Sequence, residues 1–224
     1  MNQHILIKKL IEDLIKGYSH SLVILGSAGL GKTEITFETL TEMGYKEKEH
    51  FRYLANYITP RGLLDLLQEI NELKPPKILV LDDIDQTLAN YQSVSLLKGA
   101  LWTAGNKRRI IWKTHRDNIE FEFQGKVIII LNYVNAENPF IKSLIDRSSF
   151  CELKLTNQEI GNLILERAKL PFLDIPFQKR KELAEFLVER GSKSPKFSLR
   201  LLPITFGYFK SSPNHYKDLI LSRL

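Results

Sequence analysis

The residues with the clearest chemical potential form one eight-residue run, Gly26-Ser27-Ala28-Gly29-Leu30-Gly31-Lys32-Thr33, which fits G-x-x-x-x-G-K-[ST] at every position. Glycines let such a loop curl until successive backbone N–H groups face one anion. A helix that follows it adds the positive end of its dipole. Lys32 is then placed to reach the β- and γ-phosphate oxygens of a nucleotide, and Thr33 can offer its hydroxyl to Mg²⁺. ATP and Mg²⁺ are therefore the expected ligands. The competing structural reading is a glycine-rich turn in an unrelated α/β protein. The all-apolar run SLVIL (21–25) before the loop and the helical pattern after it favour the phosphate cradle.

Phosphate binding is not hydrolysis, which also needs a carboxylate at the end of a neighbouring strand. The run KILVLDDID (77–85) supplies Asp82 and Asp83 there. Asp82, where the strand ends, is expected to hold Mg²⁺ through its water shell, and Asp83 to orient and deprotonate the attacking water. Against the second role stands a turn-capping one, since Asp is common after strands, and Asp85 competes for the same structural job.

These residues must be positioned by strands and helices in alternation. Residues 5–16 read as an amphipathic helix with Ile5, Leu6, Leu10, Leu14 and Ile15 on its apolar stripe. Buried strands are expected at 21–25, 77–85 and 126–132, further strands at 51–58, 108–114 and 150–155, and helices at 32–43, 60–73, 92–104 and 138–146. Thr59-Pro60 looks like a helix cap followed by proline at the first helical position. From Thr156, where Thr156 and Glu159 form a capping-box pattern, helices are expected throughout: one from 157, one over 178–190 stopped by Gly191, and two over 197–208 and 216–224. The fold class is thus α/β, a parallel sheet flanked by helices over 1–155, with a small all-helical lid over 156–224.

Taken in order, these landmarks resemble the AAA+ ATPases, P-loop proteins that work as ring or spiral assemblies, and the resemblance runs over nearly the whole chain. VIIILN (127–132) is similar to the family's sensor 1 strand. That implies a hydrogen bond from Asn132 to the γ-phosphate or the lytic water, with Asn135 as a fallback; a loop-starting turn residue is the plain alternative. Lys142-Ser-Leu-Ile-Asp-Arg147-Ser-Ser-Phe150 resembles the segment carrying the arginine finger, which implies that Arg147 acts in trans on a neighbouring subunit. A surface ion pair with Asp146 or Glu152 competes with that role. Phe197-Ser-Leu-Arg200 resembles the sensor 2 position, with Arg200 contacting the bound triphosphate and Lys193 and Lys196 as rivals. The implied partners are copies of this chain or related subunits.

Two features depart from the family. The acid pair is Asp-Asp, where Asp-Glu is usual and where bacterial replication initiators are similar; the shorter side chain implies slow hydrolysis. The segment 105–126 exceeds a minimal connection and reads as an insertion, basic at Lys107, Arg108, Arg109, Lys113 and Arg116, with Trp112 among them.

Composition narrows the function classes. Of 224 residues, 43% are hydrophobic and 26% charged, which excludes wholesale disorder. The single Cys151 excludes an internal disulfide framework, and the five histidines show no ligand spacing, so no structural metal is expected. No apolar run is long enough to span a bilayer and no signal-peptide pattern opens the chain, so a cytoplasmic protein without a membrane partner is expected. The net charge of +6 is uneven, +1 over residues 1–150 and +5 over 151–224, compatible with a DNA or DNA-bound partner. The leading expectation is an oligomeric ATPase of nucleic-acid machinery (replication, helicase or clamp loading, or transposition) that works through surfaces of the ATPase module itself. A nucleotide-gated scaffold with little turnover and a protein remodeller are the alternatives. Tyr57-Ile-Thr-Pro-Arg-Gly62 is a poor copy of the remodeller's pore loop. A small-molecule kinase fits least, given the acid pair, Asn132 and Arg200.

Overall fold

The computed structural model describes residues 3–75, 77–102, 107–132 and 138–224. The chain divides into two compact units, one made of residues 1–27 and 32–153, the other of 28–31 and 154–224.

The first unit is built on a five-stranded parallel sheet. Its strands are β1 (Ser21–Gly26), β2 (Phe51–Ala55), β3 (Ile78–Asp82), β6 (Lys126–Leu131) and β7 (Ser149–Leu153), in the order β2-β3-β6-β1-β7. β1 is buried along its whole length and β3 and β6 nearly so, as a parallel strand covered on both faces must be. Side chains of such strands alternate between faces. Val23, Leu25, Leu79, Leu81, Val127 and Ile129 meet the apolar sides of α3 (Pro60–Glu72) and α5 (Tyr91–Leu101). α1 (Gln3–Lys16) packs on β1, β7 and α2 (Lys32–Glu42). The register sets Leu25 opposite Leu131 and Asp82 opposite Ile130, so the strand ends carrying the site residues are level.

Several expected elements end earlier than their composition suggests. β2 stops at Ala55 because Asn56 turns left-handed, with φ 74°. β3 stops at Asp82, and Asp85–Leu88 is a short helix, α4. The stripe of α1 is rotated from the expected one: His4, Ile7, Ile11 and Leu14 are buried, whereas Ile5 is exposed. Thr59 does cap α3, its hydroxyl accepting from the Gly62 N–H at 3.1 Å, so the 57–62 segment is a helix start.

The strand expected over 108–114 forms, but the basic run around it is not the open surface expected. β4 (Arg109–Lys113) does not join the parallel sheet. It pairs antiparallel with β5 (Asn118–Glu122), whose alternating Ile119 and Phe121 mark a half-buried strand. This pairing neutralises much of the basic run. Arg109 lies 3.1 Å from Glu120 and Lys107 3.9 Å from Glu122. Arg108 is not a surface residue at all. It is 6% exposed, donates to the carbonyls of Ala100 and Gly125, and lies over the Phe123 ring. Burial pushes its guanidinium down to about 10, with the Glu122 charge opposing the shift. α3 holds the base and tip of the hairpin through Asn71, which donates to the Glu122 carbonyl, and Arg61, which meets Asp117 at 3.0 Å.

The second unit contains helices α7 (Asn157–Arg167), α8 (Phe177–Gly191), α9 (Leu201–Ser211) and α10 (Tyr216–Leu221). The capping box is formed in both directions: Thr156 Oγ1 accepts from the Glu159 N–H, and Glu159 accepts from the Thr156 N–H at 2.8 Å. α8 ends at Gly191, its last helical residue, where a Cβ would lie 2.5 Å from the Phe197 ring. Buried Arg180 donates to the carbonyls of Ala168, Lys169 and Ile175 and so fixes the α7–α8 connection. Among the described residues no helix is long and apolar enough to cross a membrane.

Arg108→Leu leaves two buried carbonyls without donors and should lower stability by about 3 kcal/mol, whereas Arg109→Ala removes an exposed pair worth about 0.5 kcal/mol or less. Urea unfolding of the two variants checks this; equal losses would contradict the buried role of Arg108.

Candidate nucleotide site

The site of the first unit gathers at the C-terminal ends of β1, β3 and β6. β1 ends at Gly26, where a Cβ would meet the Leu153 carbonyl at 2.7 Å, so strand β7 leaves room for no other residue. α2 begins at Lys32, a buried residue. It donates to the carbonyls of Gly26 at 2.7 Å and Ser27 at 2.8 Å, and to Asn132 Oδ1 at 3.0 Å. Asn132 follows the last residue of β6, and its Nδ2 donates to Asp83 Oδ1 at 2.9 Å. Lysine has only donors and a carboxylate only acceptors, so chemistry fixes which way this amide points.

Asp83 holds a left-handed backbone, φ 54°, with its N–H donating to the Ile130 carbonyl at 3.3 Å. Asp tolerates this region better than most side chains, yet it remains a costly conformation that clusters at functional sites. The turn separates the two acids. Asp82 stays in the sheet and accepts from Thr33 Oγ1 at 2.6 Å, while Asp83 turns to Asn132.

A second donor to Asp82 lay outside the sequence expectations. The Tyr53 hydroxyl, from β2, donates to Asp82 Oδ2 at 3.2 Å, the same oxygen that Thr33 holds. Its ring packs edge-on against Phe37 of α2 at 4.9 Å. The Tyr53 phenol is pushed up to about 12, first by burial and then by the charge and hydrogen bond of Asp82. The clue available in the sequence is that β2 is aromatic-rich; the pairing with Asp82 exists only through the β2–β3 register.

The remaining loop residues belong to the second unit. Gly29 and Gly31 have φ of 80° and 81°, open to glycine and strained for other residues. The Gly29 carbonyl accepts from the Leu199 N–H at 3.0 Å, and a Cβ on Gly29 would lie 2.9 Å from Ser198 and 3.6 Å from Arg200. Arg200 thus stands beside the loop at the start of α9, while Lys193 and Lys196 are exposed in the turn before it. Leu30 is buried.

Arg147 is not part of this cluster. Its carbonyl accepts from Ser21 Oγ at 3.3 Å, at the start of β1, a full strand length from Gly26. Its guanidinium donates to the Ser143 carbonyl at 2.6 Å and lies 5.9 Å from the Trp102 ring. Asn135 falls outside the described residues.

The donor set fits Mg²⁺. Thr33 and Asp82 offer oxygens only, and Mg²⁺ is usually held by one or two protein oxygens together with phosphate and water. Among the described residues no three His, Cys, Asp or Glu side chains come together as an all-protein metal cage.

No family model matches the chain. It is similar to a protein of Enterobacteria phage T4, described as an uncharacterized 36.7 kDa protein in the nrdC-mobD intergenic region, at 30% identity over 166 residues. The match covers 66% of this chain, which spans about half, 49%, of that phage relative.

The folded Tyr53 phenol keeps its proton between pH 10 and about 12, where the unfolded chain has lost it. Stability should therefore fall as pH rises through that window. Tyr53→Phe should flatten this alkaline fall, as read by chemical unfolding at several alkaline pH values; an unchanged slope would contradict the assignment.

Proposed function

We propose that the chain is an ATP-binding and hydrolysing ATPase of the AAA+ type, working as a ring or spiral of subunits on nucleic-acid transactions such as replication, helicase or clamp loading, or transposition. The observation that carries the proposal is the run of contacts from Lys32 through Asn132 to Asp83, which joins a phosphate-binding ammonium to a base by one amide. The parallel sheet supports it, because β6 lies between the loop strand β1 and the acid strand β3.

In this mechanism the Lys32 ammonium leaves the carbonyls of Gly26 and Ser27 for the β- and γ-phosphate oxygens. Thr33 and Asp82 would hold Mg²⁺, which would supply charge neutralisation to the bound triphosphate. Asp83 takes the proton of the attacking water, and Asn132 keeps that carboxylate aimed while meeting the γ-phosphate. The resemblance to the sensor 2 position is what assigns Arg200 to the triphosphate as a further cation. Arg147 lies beside the start of β1, at the opposite strand end from its own loop, and the resemblance assigns it to a neighbouring subunit's nucleotide.

The proposed nucleic-acid contact is narrower than the basic run 107–116. Arg108 is buried, and Lys107 and Arg109 face Glu122 and Glu120, so within that run Lys113 and Arg116 are the charges proposed to face phosphate. The scaffold alternative keeps one support: Asp83 is a short acid whose carboxylate is already engaged by Asn132.

Lys32→Ala should weaken ATP binding by on the order of 10²-fold, since it deletes the charge-assisted bonds to two phosphates. Unchanged affinity in the folded variant, measured by fluorescent-nucleotide titration, would contradict the site.

Arg147→Ala should keep ATP affinity and lose most turnover, a finger being worth about 10³–10⁵ in rate. Mixing it with Asp83→Asn protein should restore part of the activity, because a mixed interface pairs an intact base with an intact finger. Full rate in Arg147→Ala would overturn the trans assignment, and a wild-type rate no greater than that of Asp83→Asn would favour the scaffold.

A further inference from the structure

We propose that Tyr53 is a positioning residue for the cation site: it fixes the Asp82 carboxylate so that one oxygen is held within the protein and the other is presented to hydrated Mg²⁺. The inference rests on the nucleotide-binding function proposed above. Its basis is a shared acceptor. Thr33 Oγ1 and the Tyr53 hydroxyl both donate to Asp82 Oδ2, at 2.6 Å and 3.2 Å, from two different elements, α2 and β2.

Two donors converging on one oxygen define the plane of a carboxylate that could otherwise turn about its terminal bond, a broad torsion in Asp. Thr33 alone cannot do this. Its hydroxyl must also keep a lone pair for the cation, and one hydrogen bond leaves the carboxylate free to swing about that contact. The phenol has no such second duty. It is held in place by its own strand, with Tyr53 opposite Val80 in the β2–β3 register, and by the edge-on Phe37 ring at 4.9 Å. Phe37 packs in turn on Phe51 of the same strand at 5.6 Å, so the aromatic set braces the phenol against α2, the helix that carries Lys32 and Thr33. Groups that orient a metal-binding side chain in this way typically change metal affinity by about 10–100-fold when removed. The bond here is the longer of the two, which places the effect at the lower end.

Tyr53→Phe removes the hydroxyl and keeps the ring. Binding of a fluorescent ATP analogue is titrated to wild type and variant, first with chelator present and then across a Mg²⁺ series. The variant should match wild type without the cation and need about tenfold more Mg²⁺ to reach half of the cation-dependent gain in affinity. In an Asp82→Asn background the same Tyr53 change should have no further effect on the Mg²⁺ midpoint. An unchanged midpoint in Tyr53→Phe overturns the inference. So does an equal loss with and without Mg²⁺, which marks a structural role. If wild type binds no nucleotide under either condition, the functional proposal itself fails and this inference with it.

Discussion

The amide of Asn132 holds a cation and an anion that would otherwise close on each other. Lys32 and Asp83 stand on opposite sides of it, each at about the length of one hydrogen bond, 3.0 Å and 2.9 Å. In the proposed ATPase, a direct contact would neutralise the lysine and lower the basicity of the acid. The amide satisfies both groups without joining them. For this to work, the strand bearing Asn132 must lie between the strand ending in the loop and the strand ending in the acids, which is the place of β6. The register must also be level, and Asp82 opposite Ile130 with Leu131 opposite Leu25 makes it so. A slip of one residue would turn Asn132 to the other face of the sheet.

The same constraint explains why the two acids differ. Backbone strain at Asp83 points its side chain away from that of Asp82, so neighbours in sequence serve different partners. Conformational cost at that position is borne by the buried strands around it, where each fully buried Leu or Ile contributes about 1.5–3 kcal/mol. The hairpin β4–β5 is held to the same unit by α3 and by Arg108, whose charge is met by carbonyl oxygens at the hairpin base.

Much of this could be read from the chain because it is local. The loop, its lysine and its threonine lie within eight residues, and the acids sit directly after an apolar run. Asn132 is reached through the resemblance of 127–132 to a sensor 1 strand, as the polar residue ending another apolar run. What could not be read depends on pairing across distance. Tyr53 and Asp82 are 29 residues apart and meet through strand register. Arg108 looked like part of a basic surface because the acids that pair with its neighbours lie on β5, and the carbonyls that bury it come from residues 100 and 125. The stripe of α1 was misplaced because Ile5, Leu6 and Ile7 are all apolar, and composition alone does not choose among adjacent positions.

The central claim is that this loop recognises phosphate. Calorimetric titration of the wild-type protein with ATP, ADP, AMP and adenosine, each with Mg²⁺, tests it most directly. Tight binding of ATP and ADP is expected, with a steep loss at AMP where the β-phosphate is gone, and no measurable binding of adenosine. Adenosine binding as tightly as ATP, or no heat with any of the four, would contradict it.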